Sequence, residues 1–163
     1  MPELPEVETV RRGLADLLPG QAVVRATVFD SPKSFPNSPT DVHQFLYGAH
    51  VTAVRRRAKV LMIDLDTRYS LVIHLKMTGQ LIFRGANSFA GGHPKDSLIG
   101  ELPDRSTRVQ IDFTDGSHLF FNDQRKFGWM KLMPTDEIEN LPFMQKVGPE
   151  PLDKKTEASD FIK

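Results

Sequence analysis

Arg108-Val109-Gln110-Ile111-Asp112-Phe113-Thr114-Asp115-Gly116-Ser117-His118-Leu119-Phe120-Phe121 holds two short β-branched and aromatic runs, 108–113 and 118–121, on either side of Asp115-Gly116. Asp-Gly between such runs marks a β-hairpin, because the glycine accepts the positive φ that a tight turn demands. Working outward, comparable runs stand at 22–29, 51–57, 60–65, 70–75, 80–83 and 128–133, so about eight strands are expected. Ahead of them Leu4, Val7, Val10, Leu14, Leu17 and Leu18 recur at helical spacing, with Pro5, Glu6 and Glu8 suited to a helix start and Pro19-Gly20 to its end. Short helices are expected at 41–46 and 136–141, and loops at 31–39 and 84–105, the second long enough to carry function. The fold class is therefore α+β, mostly β: an amino-terminal helix on a two-sheet β-sandwich or flattened barrel.

A chain of 163 residues, 39% hydrophobic and 26% charged, has the composition of one globular domain with a real core. It holds no apolar run of about 18 residues, so no membrane helix is expected, and no signal peptide is visible. With no cysteine, disulfides, thiol nucleophiles and cysteine-ligated metal sites are excluded. A net charge of zero argues on its face against a nucleic-acid partner. That zero sums two unlike regions. Arg55, Arg56, Arg57 and Lys59 cluster where no acid occurs between 42 and 63, while acids outnumber bases from Met133 onward. A basic face follows, which is either an interaction edge or an ordinary solvated surface.

The start, Met1-Pro2-Glu3, offers unusual chemistry. Removal of the initiator methionine leaves a secondary amine at Pro2. Chain-terminal amines titrate near ~7.7–8.0, far below lysine, and a secondary amine attacking an aldehydic carbon gives a cationic iminium, a strong electron sink. Glu3 stands beside it, able to move protons. A Met-Pro start without any chemistry is the plain alternative.

The whole opening, Pro2-Glu3-Leu4-Pro5-Glu6-Val7-Glu8-Thr9-Val10-Arg11-Arg12-Gly13-Leu14, resembles the amino terminus of the bacterial formamidopyrimidine-DNA glycosylases. Further blocks follow in that family's order: Arg56-Arg57-Ala58-Lys59, His74-Leu75-Lys76-Met77-Thr78-Gly79, Asn122-Asp123-Gln124-Arg125-Lys126-Phe127-Gly128 and Gly148-Pro149-Glu150-Pro151-Leu152. The resemblance implies an enzyme that excises oxidised purines from double-stranded DNA and cuts the abasic site, with Pro2 as nucleophile at the sugar C1' and Glu3 moving protons. Glu6 would hold the local hydrogen-bond network, and Lys59 and His74 would meet backbone phosphates, Lys59 also assisting catalysis. Met77, Arg125 and Phe127 would fill the space left by a nucleotide turned out of the stack, as its chemistry requires. Arg57 and Arg108 complete the expected DNA-contacting set.

The resemblance also implies a catalytic domain over 1–135, with a short helix and the start of an interdomain linker over 136–163. The family's helix-two-turn-helix module and zinc finger are expected to be absent, which accords with the missing cysteines and leaves no cofactor in this chain. Damaged DNA is the expected partner, with a carboxy-terminal module wanting, no membrane, no small-molecule cofactor and a cytoplasmic setting. One departure stands at Arg105-Ser106-Thr107-Arg108, where the family carries a Lys-His-x-His stretch, so that Ser106 replaces a phosphate-binding histidine and Arg108 is left to compensate. Three other readings stay open: a catalytically weak or inactive DNA-binding fragment, an endonuclease VIII-like enzyme for oxidised pyrimidines, and a small-molecule enzyme using a terminal proline.

Overall fold

A computed structural model describes residues 4–92 and 100–145, so the linker expected beyond 145 lies outside the described residues. Helix α1 (Leu4–Leu17) leads into β1 (Val23–Val28), α2 (Pro39–Phe45), β2 (Val51–Arg57), β3 (Val60–Leu65), β4 (Tyr69–His74), β5 (Gly79–Arg84), β6 (Ser88–Gly92), β7 (Thr107–Phe113), β8 (His118–Asp123), β9 (Trp129–Pro134) and α3 (Pro142–Gln145). The strands form two antiparallel sheets, ordered β1-β7-β8-β5-β6 and β2-β3-β4-β9. The fold is the mostly-β sandwich with a leading helix that the short β-branched and aromatic runs imply.

Local chemistry explains most elements. Gly116 takes φ +91°, and the Asp115 carboxylate accepts from Ser117 N–H and Oγ–H, closing the β7–β8 hairpin. Ser38 caps α2 by accepting from Asp41 N–H at 3.2 Å, with Pro39 in the first turn. Val7, Val10 and Leu14 turn the apolar stripe of α1 into one core with Leu61, Ile63, Ile73, Leu81, Phe83, Val109, Ile111 and Phe121 from both sheets.

Two elements differ from the sequence expectation. The loop expected over 84–105 is interrupted by β6, whose Ser88-Phe89-Ala90-Gly91-Gly92 has no apolar alternation. What makes it a strand is tertiary: β5 supplies the ladder and α1 packs on it. A Cβ on Gly13 would come within 2.3 Å of the Phe89 ring, so a glycine in α1 is what admits Phe89. The expected helix at 136–141 is a 3₁₀ segment, Thr135–Asn140, that with α3 covers the outer face of the smaller sheet through Ile138 and Met144 against Val60, Met62, Val72 and Met133.

Sheet edges are closed by side chains as well as by α1. The Tyr47 hydroxyl accepts from Ala26 N–H and donates to Ala26 C=O, both at 3.3 Å, on β1. The Asn37 amide pairs with both backbone groups of Leu132 at 2.7 Å on β9. Helix α1 packs against β2 and β6.

A charged contact fastens α1 to β2. Arg56, with its side chain 3% exposed, donates from Nε to Glu8 Oε1 at 2.8 Å and from Nη1 to Ala58 C=O. Glu8 also accepts from Arg11 and Arg12. Burial opposes the Glu8 charge, but hydrogen bonds and attraction from Arg11 and Arg56 outweigh it and hold its pKa at about 2. Glu8→Gln leaves Arg56 buried against a neutral partner and is expected to cost about 2–4 kcal/mol of unfolding free energy at pH 7 in urea titrations. Since the folded pKa lies below the ordinary value of 4.5, this advantage is full above pH 4.5 and fades as pH falls towards 2, so the gap between parent and variant narrows in acid.

Candidate nucleic-acid interface

Register places three chain reversals at one end of the sandwich. In the smaller sheet Arg57 pairs with Val60, Val60 with His74 and His74 with Trp129; in the larger, Gly79 pairs with Asp123. The β2–β3 turn and two of the crossovers between sheets, at 75–78 and 124–128, therefore share a level. Glu8 lies abreast of Arg56 and Arg11 abreast of Val54, so the first turn of α1 reaches the same end. Pro2 and Glu3 lie outside the described residues; Glu6 is exposed in that first turn.

The side chains brought there are cationic and apolar. Lys59 is half-buried after Ala58, which takes φ +51° in the turn. Met77 and Phe127 are 42% and 55% exposed, two of the four large hydrophobic side chains exposed among the described residues. The Arg125 guanidinium sits 5.0 Å from the Phe127 ring centroid, a cation–π contact. Lys76 and Lys126, at φ +54° and +62°, flank the pair.

His74 closes β4 partly covered, against the Trp129 ring, and its Nδ1 accepts from Lys76 N–H at 3.0 Å. Burial first, then the positive charges of Lys76 and Lys59, lower its pKa to about 4. The ring is neutral at pH 7, and Nε2–H is its remaining donor.

Other expected contacts are placed differently. The basic run is met by acids from elsewhere in the chain: Arg55 by Asp64 at 2.5 Å, Arg56 by Glu8, and Arg57 by Glu139 at 2.5 Å, from the 3₁₀ segment on the outer face. Counting along the sequence could not see these partners, which are 9 to 82 positions away. Arg108, expected to offer charge in place of the replaced histidine, is 5% exposed and donates from Nε to Asp123 C=O at 2.8 Å. Its strand position turns it inward. Ser106 folds onto Asp104, donating from both N–H and Oγ–H, and its carbonyl accepts from Asp123 N–H.

Sequence reading missed the polar groups that hold this end together. Asp123, fully buried, accepts from Thr78 Oγ–H, Arg125 N–H and Gly128 N–H. A Cβ on Gly128 would lie 2.9 Å from the Asp123 carboxylate and 2.8 Å from His74 C=O, so only glycine permits the approach. Gln80, Asn122 and Thr107 form a buried amide–hydroxyl row across β5, β8 and β7. The available signal for Asp123 was an acidic residue two positions before a turn N–H that it could cap.

Residues 1–130 match the family model described as the formamidopyrimidine-DNA glycosylase N-terminal domain. The chain belongs to this family. A formamidopyrimidine-DNA glycosylase of Jannaschia sp. is 42% identical over 154 residues, 93% of this chain and 52% of that protein. One of Afipia carboxidovorans is 40% identical over 163 residues, 98% and 54%. The chain thus spans about half the length of these curated relatives. Among solved structures, the Lactococcus lactis formamidopyrimidine-DNA glycosylase non-covalently bound to DNA containing an abasic site matches at TM-score 0.73 and 28% identity, over 91% of this chain and 52% of that one. A MutM protein in complex with DNA containing carbocyclic 8-oxoguanine matches at TM-score 0.74 and 29% identity, over 92% and 51%.

Within this glycosylase domain, no cluster of three or more His, Cys, Asp or Glu side chains able to hold a metal occurs among the described residues, and no helix there is long and apolar enough to cross a membrane. The histidine gives a direct check. His74 binds its proton in the folded state only near pH 4, against 6.5 when unfolded, so stability falls as pH drops from 6.5 to 4 and then levels. An NMR titration is expected to show the His74 midpoint near 4 with an Nε2–H tautomer, and His74→Asn to remove that part of the pH dependence.

Proposed function

We propose that this chain is the catalytic part of a bifunctional DNA glycosylase and abasic-site lyase acting on oxidised purines, 8-oxoguanine and formamidopyrimidines, in duplex DNA. The observation that carries the reading is the convergence of Lys59, His74, Met77, Arg125 and Phe127 from three separate turns beside the first turn of α1. Isolated exposed hydrophobics are common, but two exposed apolar side chains flanking an arginine suit a wedge into stacked bases. The DNA in the matched complexes supports the same partner.

In this reading the damaged nucleotide leaves the stack, Met77 and Phe127 fill the gap, and Arg125 donates to the orphaned base, cytosine for 8-oxoguanine. The Pro2 nitrogen attacks C1', the C1'–N bond to the base breaks, and its electron pair leaves with the base, which takes up a proton. Glu3 transfers the proton that opens the sugar ring. The resulting iminium acidifies C2'–H: loss of that proton to a base forms C2'=C3' and expels the 3' phosphate by β-elimination, and loss of a C4' proton from the conjugated iminium then expels the 5' phosphate by δ-elimination. Lys59 and the His74 Nε2–H bind the flanking phosphates, with Glu6 holding the start of α1 in place. Arg57 joins the phosphate contacts only by leaving Glu139, and Arg108 acts from within by supporting Asp123. The domain needs no cofactor or membrane, and acts in the cytoplasm on chromosomal DNA. A carboxy-terminal module completes the grip, and the glycosylase unit ends near 135, the rest leading into the linker.

Borohydride trapping tests the chemistry on two duplexes, one with 8-oxoguanine opposite cytosine and one with an abasic site. A covalent adduct is expected with the parent chain and none with Pro2→Gly; no adduct on either duplex refutes the catalytic assignment. Adduct on the abasic duplex alone shows lyase chemistry with excision lost, as a chain half the length of its relatives would show if its grip were incomplete. Lys59→Met is expected to slow trapping by at least ~10-fold. Phe127→Ala is expected to weaken lesion binding about 10-fold, more than binding to undamaged duplex, as loss of one stacking contact predicts. Equal losses on both would exclude the wedge.

A further inference from the structure

The two crossovers at 75–78 and 124–128 end on one carboxylate. Asp123 Oδ1 accepts from Thr78 Oγ–H and from Arg125 N–H at 3.3 Å, while Oδ2 accepts from Gly128 N–H at 2.5 Å. Thr78 Oγ also accepts from Arg125 N–H at 3.2 Å. Thr78 directly follows Met77 and Gly128 directly follows Phe127, so the same two oxygens hold the residues next to both exposed hydrophobics. The backbone of Asp123 is held as firmly, its N–H by Ser106 C=O and its C=O by Arg108 Nε. Fully buried, with both carboxylate oxygens engaged by donors, Asp123 neither meets a phosphate nor exchanges a proton with a sugar. What it controls is the spacing of the two turns.

Backbone strain points the same way. Lys76 and Lys126, one in each crossover, hold φ +54° and +62°, a region non-glycine residues keep only where their surroundings impose it.

We infer that Asp123, acting through Thr78, is a positioning residue that fastens the Met77 turn to the Arg125–Phe127 loop, so that the three side chains enter damaged DNA as one preformed unit. Two loops ordered separately would each lose conformational freedom on entering the duplex; two already tied lose it once, during folding. The inference rests on the reading of this end as DNA-facing.

Thr78→Val removes the hydroxyl at nearly constant shape, and Thr78→Ser keeps it. Without DNA, amide exchange of Arg125 and Gly128 is expected to quicken about 10-fold in Thr78→Val, with β3 amides unchanged, and to return to the parent rate in Thr78→Ser. With an abasic-site duplex, Met77→Ala and Phe127→Ala are combined in a double-mutant cycle. In the parent chain the double variant is expected to lose about 5-fold less affinity than the product of the single losses. In the presence of Thr78→Val, or of Asp123→Asn where that variant folds, the losses are expected to multiply.

A general packing role would lower affinity without altering this coupling. Multiplicative losses in the parent, or coupling that survives Thr78→Val, overturn the inference while leaving the proposed function standing. A parent chain that prefers neither the abasic nor the 8-oxoguanine duplex over undamaged DNA overturns the proposed function and this role with it, whatever the exchange rates show.

Discussion

A buried carboxylate surrounded by N–H and O–H donors is the contact on which this end of the molecule depends. At this end the chain passes from one sheet to the other twice, at 75–78 and at 124–128, and each passage interrupts the ladders that otherwise satisfy backbone groups. Asp123 supplies acceptors for the N–H groups of Arg125 and Gly128 that the second passage leaves without a strand partner. Leaving such buried donors unpaired costs about 1–3 kcal/mol each. The same carboxylate reaches Thr78 in the first passage, so satisfying the backbone of one crossover also fixes the other. Glycine at 128 follows from this closeness, since any Cβ would displace either the carboxylate or His74 C=O.

Charge at this end is sparser than the basic run implies. Arg55, Arg56 and Arg57 each face a carboxylate, and Arg56 serves chiefly to hold α1 on β2 through Glu8. The cations that the fold presents with the two exposed hydrophobics are instead Lys59, Lys76, Arg125 and Lys126, scattered over 68 positions of sequence and collected by register alone. Lys126 itself stands 3.5 Å from the well-exposed Asp30, a contact that solvent and salt weaken.

Those parts of the fold governed by local pattern were legible. Short β-branched and aromatic runs located eight strands, Asp115-Gly116 located a hairpin, and the spacing of Val7, Val10 and Leu14 gave the buried face of α1. The strand at 88–92 was not, because Ser88, Ala90 and the two glycines carry no strand preference and pairing is imposed by β5 and α1. For the site, the exposure of Met77 and Phe127 could be inferred from their turn-like neighbours, Thr78-Gly79 and the polar 122–126 stretch, although Asn122 and Asp123 of that stretch are buried. Asp123, Arg108 and the partners of the three arginines were illegible for one reason. Each is defined by contacts that only the fold brings together, and single-residue type does not say whether a charge will face water or a partner.

His74 shows how that hidden environment alters chemistry. As a bare letter in a DNA-facing motif it reads as a cation for a phosphate. In the fold, Lys76 N–H occupies Nδ1, and burial together with Lys59 and Lys76 keeps the ring neutral down to about pH 4. What remains is one N–H donor of fixed direction, able to orient a phosphate without adding positive charge. Under the proposed function, binding through His74 would contribute little to counterion release, and the salt dependence would fall to the lysines and Arg125. Under the proposed function a division of labour follows: the lysines and Arg125 would draw the phosphodiester backbone in, and the neutral imidazole beside Trp129 would set where it stops.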